Sequence, residues 1–465
     1  MTTMKKIPHN QIRILLFLVS LSFLSCEKFL NVKEDQKIVN AETLGDLQAL
    51  LDAAIYINYG YYPALLEIAT DDFYLTPDVY SNAKEFEKDN YLWKDYPLYL
   101  NQDINVSWMF PFRNLLIANT VLDELPNVES NDLVRKREIK GTALFFRAYV
   151  FFQLAQAFCD AYELNAENTA PGLPLRLNPD FNEISRRATV DETYQQIIVD
   201  MEEAISLLPA ATPVPTRPSK GAAYAAMAKI CLAMGDYERA LINANNALEQ
   251  HNELLDYNDL NPLANIPIER FNNETIFYAY STGFSVLRRT SALVDSSLYK
   301  SYEDNDLRKT VCFIDNGNGS YGFKGGYTGA SNNAFFVGLT TSELLLIQAE
   351  CYARANHIDL ALEALNRLLE HRYERETFVP YSAIDQEDCI KLVLAERRKE
   401  LLFRGVRWSD LKRLNKEGRF TKTLERKMIV NDVLETFTLS PNDPRYNFTI
   451  PAEVIVKTGM QQNIR

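Results

Sequence analysis

The stretch that decides the fold is residues 395–414, Ala-Glu-Arg-Arg-Lys-Glu-Leu-Leu-Phe-Arg-Gly-Val-Arg-Trp-Ser-Asp-Leu-Lys-Arg-Leu. Its apolar and charged positions repeat at helical spacing on both sides of one glycine. Three large apolar side chains lie seven residues apart and can line one buried face: Leu394, Leu401 and Trp408. Gly405 fits the left-handed turn that closes a helix. The stretch therefore predicts a helix, a one-residue corner and a second helix.

The charged residues of this stretch lie on a second helical face. Glu396, Glu400 and Arg404 follow each other in i,i+4 steps, a spacing that favours pairing of opposite charges. So much charge beside tryptophan and leucine indicates a lattice of ion pairs that holds two helices together. Paired networks perturb pKa values as catalytic groups do, and we interpret these charges as structural.

This stretch resembles the C-terminal signature of the SusD/RagB family, surface nutrient-binding lipoproteins of Bacteroidetes. The matching residues are Glu396, Arg397, Arg398, Glu400, Leu401, Phe403, Gly405, Arg407, Trp408, Asp410, Leu411 and Arg413. Arg404 stands where the family usually has an acid, a departure that affects one ion pair and not the fold. Shorter matches follow in family order: Arg147-Ala148-Tyr149, Pro171-Gly172-Leu173-Pro174-Leu175, Asp306-Leu307-Arg308 and Ile450-Pro451-Ala452-Glu453.

The resemblance implies a mainly α fold of tetratricopeptide-like helix pairs, with a loop-rich, irregular ligand-binding region and a few short strands. It also implies a protein without enzymatic activity that captures oligosaccharide or peptide. In that family the partner is a TonB-dependent outer-membrane transporter of the SusC type, which the binding protein caps as a lid. Family members place ligand contacts on insertions outside the helix pairs.

The residues themselves predict helix pairs around 108–158, 190–250 and 340–415. Thr189 followed by Glu192 has the capping-box pattern of a helix start. Gly235-Asp236-Tyr237, set among alanines, resembles a tetratricopeptide turn, where small side chains let two antiparallel helices approach closely. The segment from Leu133 to Phe158 is apolar nearly all round but too often interrupted by polar residues for a membrane span, so we expect it in the core.

The first residues predict export and a lipid anchor. Basic residues precede a short apolar run, 14–24, as in a secretory signal. Ser25-Cys26 resembles a lipobox, in which Cys26 becomes the acylated N-terminus; the alternative is an ordinary signal peptide with a chance cysteine. The expected organisation is a signal peptide (1–25), a tether (26–40) and a single domain (41–465) held at the outer membrane, facing the cell exterior.

Composition excludes several functions. A net charge of -13 gives no electrostatic footprint for nucleic acid. The other five cysteines are scattered without a C-x-x-C pair: Cys159, Cys231, Cys312, Cys351 and Cys389. The four histidines are equally scattered, so we expect no metal site, no cofactor and no catalytic residues.

One glycine motif has a formal match to a nucleotide-binding fingerprint. Gly317-Asn318-Gly319-Ser320-Tyr321-Gly322 fits G-x-G-x-x-G, but a dinucleotide site needs this loop to lead into a helix. The following residues, 323–327, do not have a helical pattern. We therefore predict a glycine-rich hairpin.

Two loop-rich insertions, 56–100 and 257–338, are rich in aromatic residues and lack helical period. Aromatic rings on irregular chain can form a stacking surface for sugars or peptide side chains. The residues predicted to form one ligand-binding surface are Tyr74, Tyr80, Trp93, Tyr96, Tyr99, Tyr321 and Tyr327.

Two other functions compete with nutrient binding. A helical-repeat outer-membrane assembly factor would have the same helix pairs but no sugar or peptide ligand. A surface glycoside hydrolase would need two carboxylates across a cleft, and Asp71-Asp72 is the best acidic pair in the aromatic segment. Adjacent residues rarely flank one scissile bond, so the hydrolase is the weaker alternative.

Overall fold

The structure is a computed structural model, and it describes residues 41–60, 62–95, 105–330 and 334–465. The predicted signal peptide, Cys26 and the tether lie outside the described residues, as do Tyr96 and Tyr99. Within the described part, the chain is mainly helical with short strands in small sheets, which confirms the predicted fold class.

The described residues form seventeen α-helices. They are α1 (Leu44–Leu51), α2 (Ala54–Ile57), α3 (Leu65–Ile68), α4 (Pro77–Ser81), α5 (Glu85–Tyr91), α6 (Asn105–Glu124), α7 (Leu133–Phe158), α8 (Val190–Leu207), α9 (Lys220–Met234), α10 (Tyr237–Gln250), α11 (Ser296–Lys300), α12 (Arg308–Val311), α13 (Thr341–Arg354), α14 (Ile358–Glu370), α15 (Gln386–Glu400), α16 (Arg407–Asn415) and α17 (Ala452–Thr458). The long helices supply the predicted pairs, while the short ones α2 to α5 lie in the first loop-rich insertion.

The strands are short and belong to five small sheets. They are β1 (Tyr59–Gly60), β2 (Phe73–Tyr74), β3 (Pro171–Pro174), β4 (Arg187–Thr189), β5 (Thr275–Phe277), β6 (Tyr280–Thr282), β7 (Leu293–Val294), β8 (Phe313–Asp315), β9 (Tyr321–Phe323), β10 (Ala334–Phe336), β11 (Leu339–Thr340), β12 (Leu424–Val430) and β13 (Val433–Leu439). One sheet has the order β1-β6-β10 and another β2-β7-β9-β8, while β3–β4, β5–β11 and β12–β13 pair alone.

The helix pairs form as predicted because their local signals are strong. Thr189 caps α8 with the reciprocal hydrogen bonds of a capping box to Glu192. Helix α9 ends at Gly235, which adopts φ +76°, and α10 returns antiparallel from Tyr237. Alanines on α9 and α10 are fully buried, so the two helices pack closely. Helices α13 and α14 repeat this arrangement, and α13 packs against α10.

Helix α7 is the central helix of the hydrophobic core. Its residues from Phe145 to Phe152 are almost all buried, and the ring of Phe145 makes an edge-to-face contact with Phe277 of β5. At its middle, the Arg147 guanidinium makes a bidentate ion pair with Asp200 of α8, at 2.7 and 2.8 Å. None of the described helices is long and apolar enough to cross a membrane. The core assignment of this apolar segment is therefore confirmed.

The signature stretch forms the predicted helix, corner and helix, with a wider corner than expected. Helix α15 ends at Glu400, Gly405 adopts φ +68°, and α16 begins at Arg407. Because the helix stops at Glu400, Arg404 does not lie one helical turn further on. The prediction that these two residues pair at i,i+4 spacing is therefore wrong. Arg404 instead lies over the ring of Tyr327, 3.7 Å from its centroid.

The glycine-rich motif is the predicted hairpin. Strands β8 and β9 pair antiparallel, and residues 316–320 connect them. Gly317 and Gly319 adopt φ +76° and +80°, as the tight turn requires. Gly322 lies inside β9, where a Cβ atom would come within 2.8 Å of the carbonyl oxygen of Arg289. That glycine therefore allows the chain at Arg289 to pack directly against β9.

Candidate functional site: an aromatic cleft

Three of the predicted ligand-binding residues lie in the core. Trp93 is 1% exposed and donates its indole N–H to the carbonyl of Ala69, 2.9 Å away. Tyr80 is buried against Tyr91. Tyr327 is fully buried, and its hydroxyl donates to Glu274 at 2.8 Å. Each of these rings buries a large apolar area by packing into the core. They are therefore not part of the proposed ligand surface.

The two remaining described residues of that prediction lie on opposite faces of one sheet. Tyr74 is opposite Leu293 of β7, which is opposite Gly322 of β9. Successive side chains of a strand point to opposite faces, so Tyr321 points away from the side of Tyr74. Both side chains are partly exposed. The single surface predicted from sequence thus becomes two, and Tyr321 belongs to the more aromatic one.

A continuous series of ring contacts starts at Tyr321. The Tyr321 ring stacks on that of Tyr299 with 3.5 Å between centroids and 13° between planes. From this partly exposed pair, neighbouring ring centroids lie 5.1–6.0 Å apart along Tyr299, Phe313, Phe323, Phe403 and Phe335. Flat aromatic faces of this kind are the usual stacking partners of sugar rings and of apolar ligand groups.

Beside this series lies a cleft with an empty volume of about 490 Å3, part of it open to solvent. Its aromatic side is Phe323, Phe335 and Phe403, of which Phe323 is partly exposed and the other two are buried. The other lining residues are Asn265, Leu287, Arg289, Ala292, Lys324, Gly326, Ala330 and Ala334. Because this volume includes open solvent, the cleft is a shallow depression; its apolar walls carry a few polar groups, which is the composition typical of small-ligand sites. We refer to these residues as the aromatic cleft.

The signature stretch contributes directly to the aromatic cleft through Phe403. This residue adopts φ +55° in the corner between α15 and α16, a conformation that non-glycine residues rarely take. The corner places its ring between Phe73, Phe323 and Phe335. Strained backbone of this kind persists where the surrounding structure holds it, often at binding sites. Sequence reasoning assigned Phe403 to the family pattern alone.

Other cleft residues had a weaker signal in the sequence. Phe323 and Lys324 directly follow Tyr321, and strand alternation alone would place the rings of Tyr321 and Phe323 on one face. Arg289, which lines the cleft, and Tyr299, which stacks on Tyr321, lie in the same insertion and belong to no motif. Only the pairing of β7 with β9 brings their segments to the cleft.

The charges of the signature form the predicted lattice of ion pairs. Arg397 on α15 donates to Asp410 on α16 at 2.9 Å, and Arg413 binds both Asp410 and Glu350 of α13. Although burial disfavours its charged form, Arg413 and Arg354 hold the pKa of Glu350 at about 2. The lattice therefore holds three helices together in the charged state.

A second part of this lattice lies under the irregular region. Arg372 is fully buried and donates to Glu274 at 2.6 Å and to Glu400 at 2.9 Å. Arg308 binds Glu396 and Asp306, both at 2.7 Å. Despite the cost of burial, Arg372 holds the pKa of Glu400 below its usual value. These groups are enclosed by protein and have a structural role.

The acidic pair considered for hydrolysis is also part of the lattice. Arg407 donates to Asp71 at 2.7 Å, and Arg398 donates to Asp72 at 2.8 Å. Lys422 also binds Asp71, at 2.7 Å. Although burial opposes ionisation, Arg407 and its neighbouring cations hold the pKa of Asp71 well below its usual range. Both carboxylates are thus engaged in fastening the first insertion to the signature, and neither lines the aromatic cleft.

A mainly helical body of tetratricopeptide-like pairs, with an open aromatic cleft in its irregular region, defines a ligand-binding class of protein. The sequence matches two family models: one described as starch-binding associating with outer membrane, over residues 28–232, and the SusD family model over residues 297–464. The chain belongs to the SusD family, whose members are nutrient-binding proteins associated with the outer membrane. None of the curated proteins matches the sequence.

Solved structures share the fold over nearly the whole chain. A putative sugar binding protein from Bacteroides vulgatus has 18% identity and a TM-score of 0.73, covering 91% of this chain and 98% of that one. A SusD superfamily protein from Bacteroides thetaiotaomicron has 21% identity and a TM-score of 0.75, covering 91% and 100%. A laminarin binding SusD-like protein has 18% identity and a TM-score of 0.63, covering 90% and 97%.

Proposed function

We propose that this chain is a cell-surface lipoprotein that captures oligosaccharide in the aromatic cleft and delivers it to a TonB-dependent outer-membrane transporter. The observation that carries the proposal is the cleft itself, lined by Phe323, Phe335 and Phe403 and connected through the ring of Phe313 to the stacked pair Tyr299 and Tyr321. Membership of the SusD family and sugar-binding structural neighbours support the ligand class.

Anchoring and partnership are parts of the same proposal. Ser25-Cys26 after an apolar run supports cleavage and acylation at Cys26. A lipid tether would confine the body to the membrane plane and keep its local concentration near a transporter high, so a modest interface would be sufficient. The chain then acts as the lid of a SusC-like barrel and encloses the ligand between the two proteins.

Binding without catalysis fits the cleft better than hydrolysis does. A glycosidase needs two carboxyl groups across the scissile bond, whereas the lining of the aromatic cleft contains no carboxylate. The pair Asp71 and Asp72 is held in ion pairs with arginines. Oligosaccharide incubated with the purified protein should therefore be recovered at its original length.

The test is isothermal titration calorimetry with a panel of neutral and acidic oligosaccharides, laminarin oligosaccharides included. A ring in the centre of a desolvated contact contributes about 2 kcal/mol or more, so Phe323→Ala should weaken binding by tens-fold. Phe181→Ala is the matched control because Phe181 is 82% exposed and does not line the cleft. Equal affinities for the two variants would place the ligand elsewhere.

Partnership is tested separately by mild detergent extraction and native purification of the full-length protein. A large outer-membrane barrel should copurify, and Cys26→Ala should abolish membrane retention and reduce the yield of the complex. Recovery of the lipoprotein alone, with no oligosaccharide bound in calorimetry, would favour the assembly-factor alternative. Shorter products after incubation with oligosaccharide would favour the hydrolase.

A further inference from the structure

The charged side chains that line the aromatic cleft are both basic. They are Arg289 and Lys324, and none of the described residues that line the cleft is an aspartate or glutamate. This concentration of positive charge stands out in a chain whose net charge is -13.

These cations lack a carboxylate partner among the described residues. The Lys324 ammonium donates to the backbone carbonyls of Pro262 and Ala264, the latter at 3.2 Å. The Arg289 guanidinium donates to the carbonyl of Asn265, also at 3.2 Å. Carbonyl oxygens satisfy hydrogen-bond donors, but they carry no net charge, so the positive charge of both groups remains uncompensated.

The two cations also repel each other. Partial burial and the nearby Arg289 lower the pKa of Lys324. Two like charges beside a low-dielectric aromatic wall create a positive potential that an anion would relieve. Charge-assisted hydrogen bonds from arginine and lysine to a carboxylate or sulfate are stronger than those to neutral groups.

We propose that the aromatic cleft takes an acidic oligosaccharide, with Arg289 and Lys324 binding its carboxylate or sulfate groups and Phe323 stacking on a sugar ring. This inference rests on the proposed function and names the substrate class of that site. The combination favours a sugar over an acidic peptide because the partly exposed ring of Phe323 directly precedes Lys324, and the C–H face of a sugar ring can stack on an aromatic ring.

Within the part of the chain that the structure describes, no carboxylate binds Arg289 or Lys324 in place of the ligand. Glu87 is the acid that contacts the Ser285–Leu287 turn beside the cleft, and its oxygens accept hydrogen bonds from Ser285 at 2.6 and 2.7 Å. It is buried and does not line the cleft. The cations at the cleft are therefore left for an external anion.

The first experiment compares ligands that differ only in charge. Calorimetry is run with oligogalacturonate, with the same oligogalacturonate after methyl esterification, with a chondroitin sulfate hexasaccharide and with poly-glutamate. We expect binding of the carboxylated or the sulfated oligosaccharide, weaker binding of the neutral ester, and loss of affinity as sodium chloride is raised. Preference for poly-glutamate over both acidic sugars would overturn the sugar assignment.

The second experiment assigns the effect to the cleft cations. Lys324→Gln and Arg289→Gln should each lower the affinity for the acidic oligosaccharide about tenfold, because one charge-assisted hydrogen bond usually contributes that much. The affinity for the methyl ester should remain unchanged in both variants. Lys324→Arg keeps the charge and should retain most of the affinity. Arg288→Gln is the matched control, because Arg288 is exposed next to Arg289 but does not line the cleft.

The outcomes separate this inference from the proposed function. Equal binding of ester and acid, both lost in Phe323→Ala, would overturn the charge preference and leave oligosaccharide capture in the cleft intact. An equal loss for Arg288→Gln and Arg289→Gln would show general electrostatic attraction and overturn the assigned contacts. Absence of binding by any oligosaccharide, acidic or neutral, would overturn the proposed function itself.

Discussion

The cations of the buried lattice and those of the aromatic cleft are held in opposite ways. Arg372 and Arg308 are enclosed in the protein, and each binds two carboxylates within 3 Å. Lys324 and Arg289 face open volume and donate only to backbone carbonyls among the described residues. The difference teaches that density of charge does not identify a binding site in this fold. The proposed site is distinguished instead by cations that lack a carboxylate partner among the described residues and lie beside an open cleft.

The largest expected effect follows from breaking the paired region. Arg372→Ala would leave Glu274 and Glu400 buried without a shared cation, a change that costs about 3–5 kcal/mol in the free energy of unfolding. Chemical denaturation measures this loss. Arg375→Ala is the control, since the side chain of Arg375 is 63% exposed and binds Asp256 and Asp259 at the surface. Its loss should cost less than about 1 kcal/mol. Similar losses for the two variants would contradict the structural role of the buried lattice.

A third way of holding a buried cation is found at Trp93. The Arg426 guanidinium lies 4.5 Å from the Trp93 ring and 3.7 Å from the Tyr91 ring, and it donates to the carbonyls of Tyr91 and Thr70. Burial lowers the pKa of Arg426 to about 10. Aromatic faces and carbonyls thus take the place of a carboxylate.

Trp93→Ala should therefore destabilise the protein by about 3 kcal/mol or more, through the lost ring and the exposed cation. Oligosaccharide affinity should remain unchanged, because Trp93 does not line the cleft. Denaturation and calorimetry on the same preparation measure both quantities. Loss of affinity at full stability would restore Trp93 to the ligand surface.

The different positions of Trp93 and Tyr321 show where sequence reasoning reaches its limit. Both residues are aromatic and lie in insertions interrupted by proline or glycine, so their local signals are alike. Burial of Trp93 depends on Arg426 of β12, and exposure of Tyr321 depends on strand pairing with β7 and β8. Contacts between residues so distant in sequence have no local pattern.

Helices were predictable for the opposite reason. Caps, alanine spacing and apolar period are local: the predicted segment Leu133–Phe158 coincides with α7, and the predicted turn at Gly235 separates α9 from α10. The ion-pair lattice was also predictable, because its charges are concentrated in residues 396–413. Its partners were not, since Glu274, Glu350 and Asp71 come from three distant segments. The cleft, which depends on the strained turn at Phe403, was not predicted.

Glu67 is a buried acid with no ion pair among the described residues, so its effect on stability should depend on pH. Glu67 is enclosed, and one of its oxygens accepts a hydrogen bond from the Gly405 N–H. Burial, with the nearby Asp72 second, raises the pKa of Glu67 from 4.5 to about 8. In this range the unfolded chain releases the proton and the folded one keeps it. Stability from this group is therefore complete below about pH 4.5 and is lost as pH rises towards 8.

Glu67→Gln removes this titration but keeps an oxygen that can accept from Gly405. Between pH 6 and pH 7, the free energy of unfolding of the original protein should fall relative to that of the variant by about 1.4 kcal/mol. Denaturation curves of both proteins at the two pH values measure this difference. Other titrating groups contribute equally to both proteins and therefore cancel in the comparison. Parallel pH profiles would mean that Glu67 is ionised in the folded state.

The smallest expected effect belongs to the cleft itself. Lys324 is partly buried beside Arg289, with carbonyl oxygens as its hydrogen-bond partners, so removing its charge removes repulsion as well as two hydrogen bonds. These changes oppose each other, and Lys324→Gln should alter the free energy of unfolding by no more than about 0.5 kcal/mol, as for a typical surface substitution. The same variant is expected to lose acidic oligosaccharide. If Lys324→Gln keeps the stability of the protein but loses affinity for the acidic oligosaccharide, Lys324 has a ligand-binding role. A loss in the free energy of unfolding comparable to that of Arg372→Ala would instead make Lys324 another structural cation.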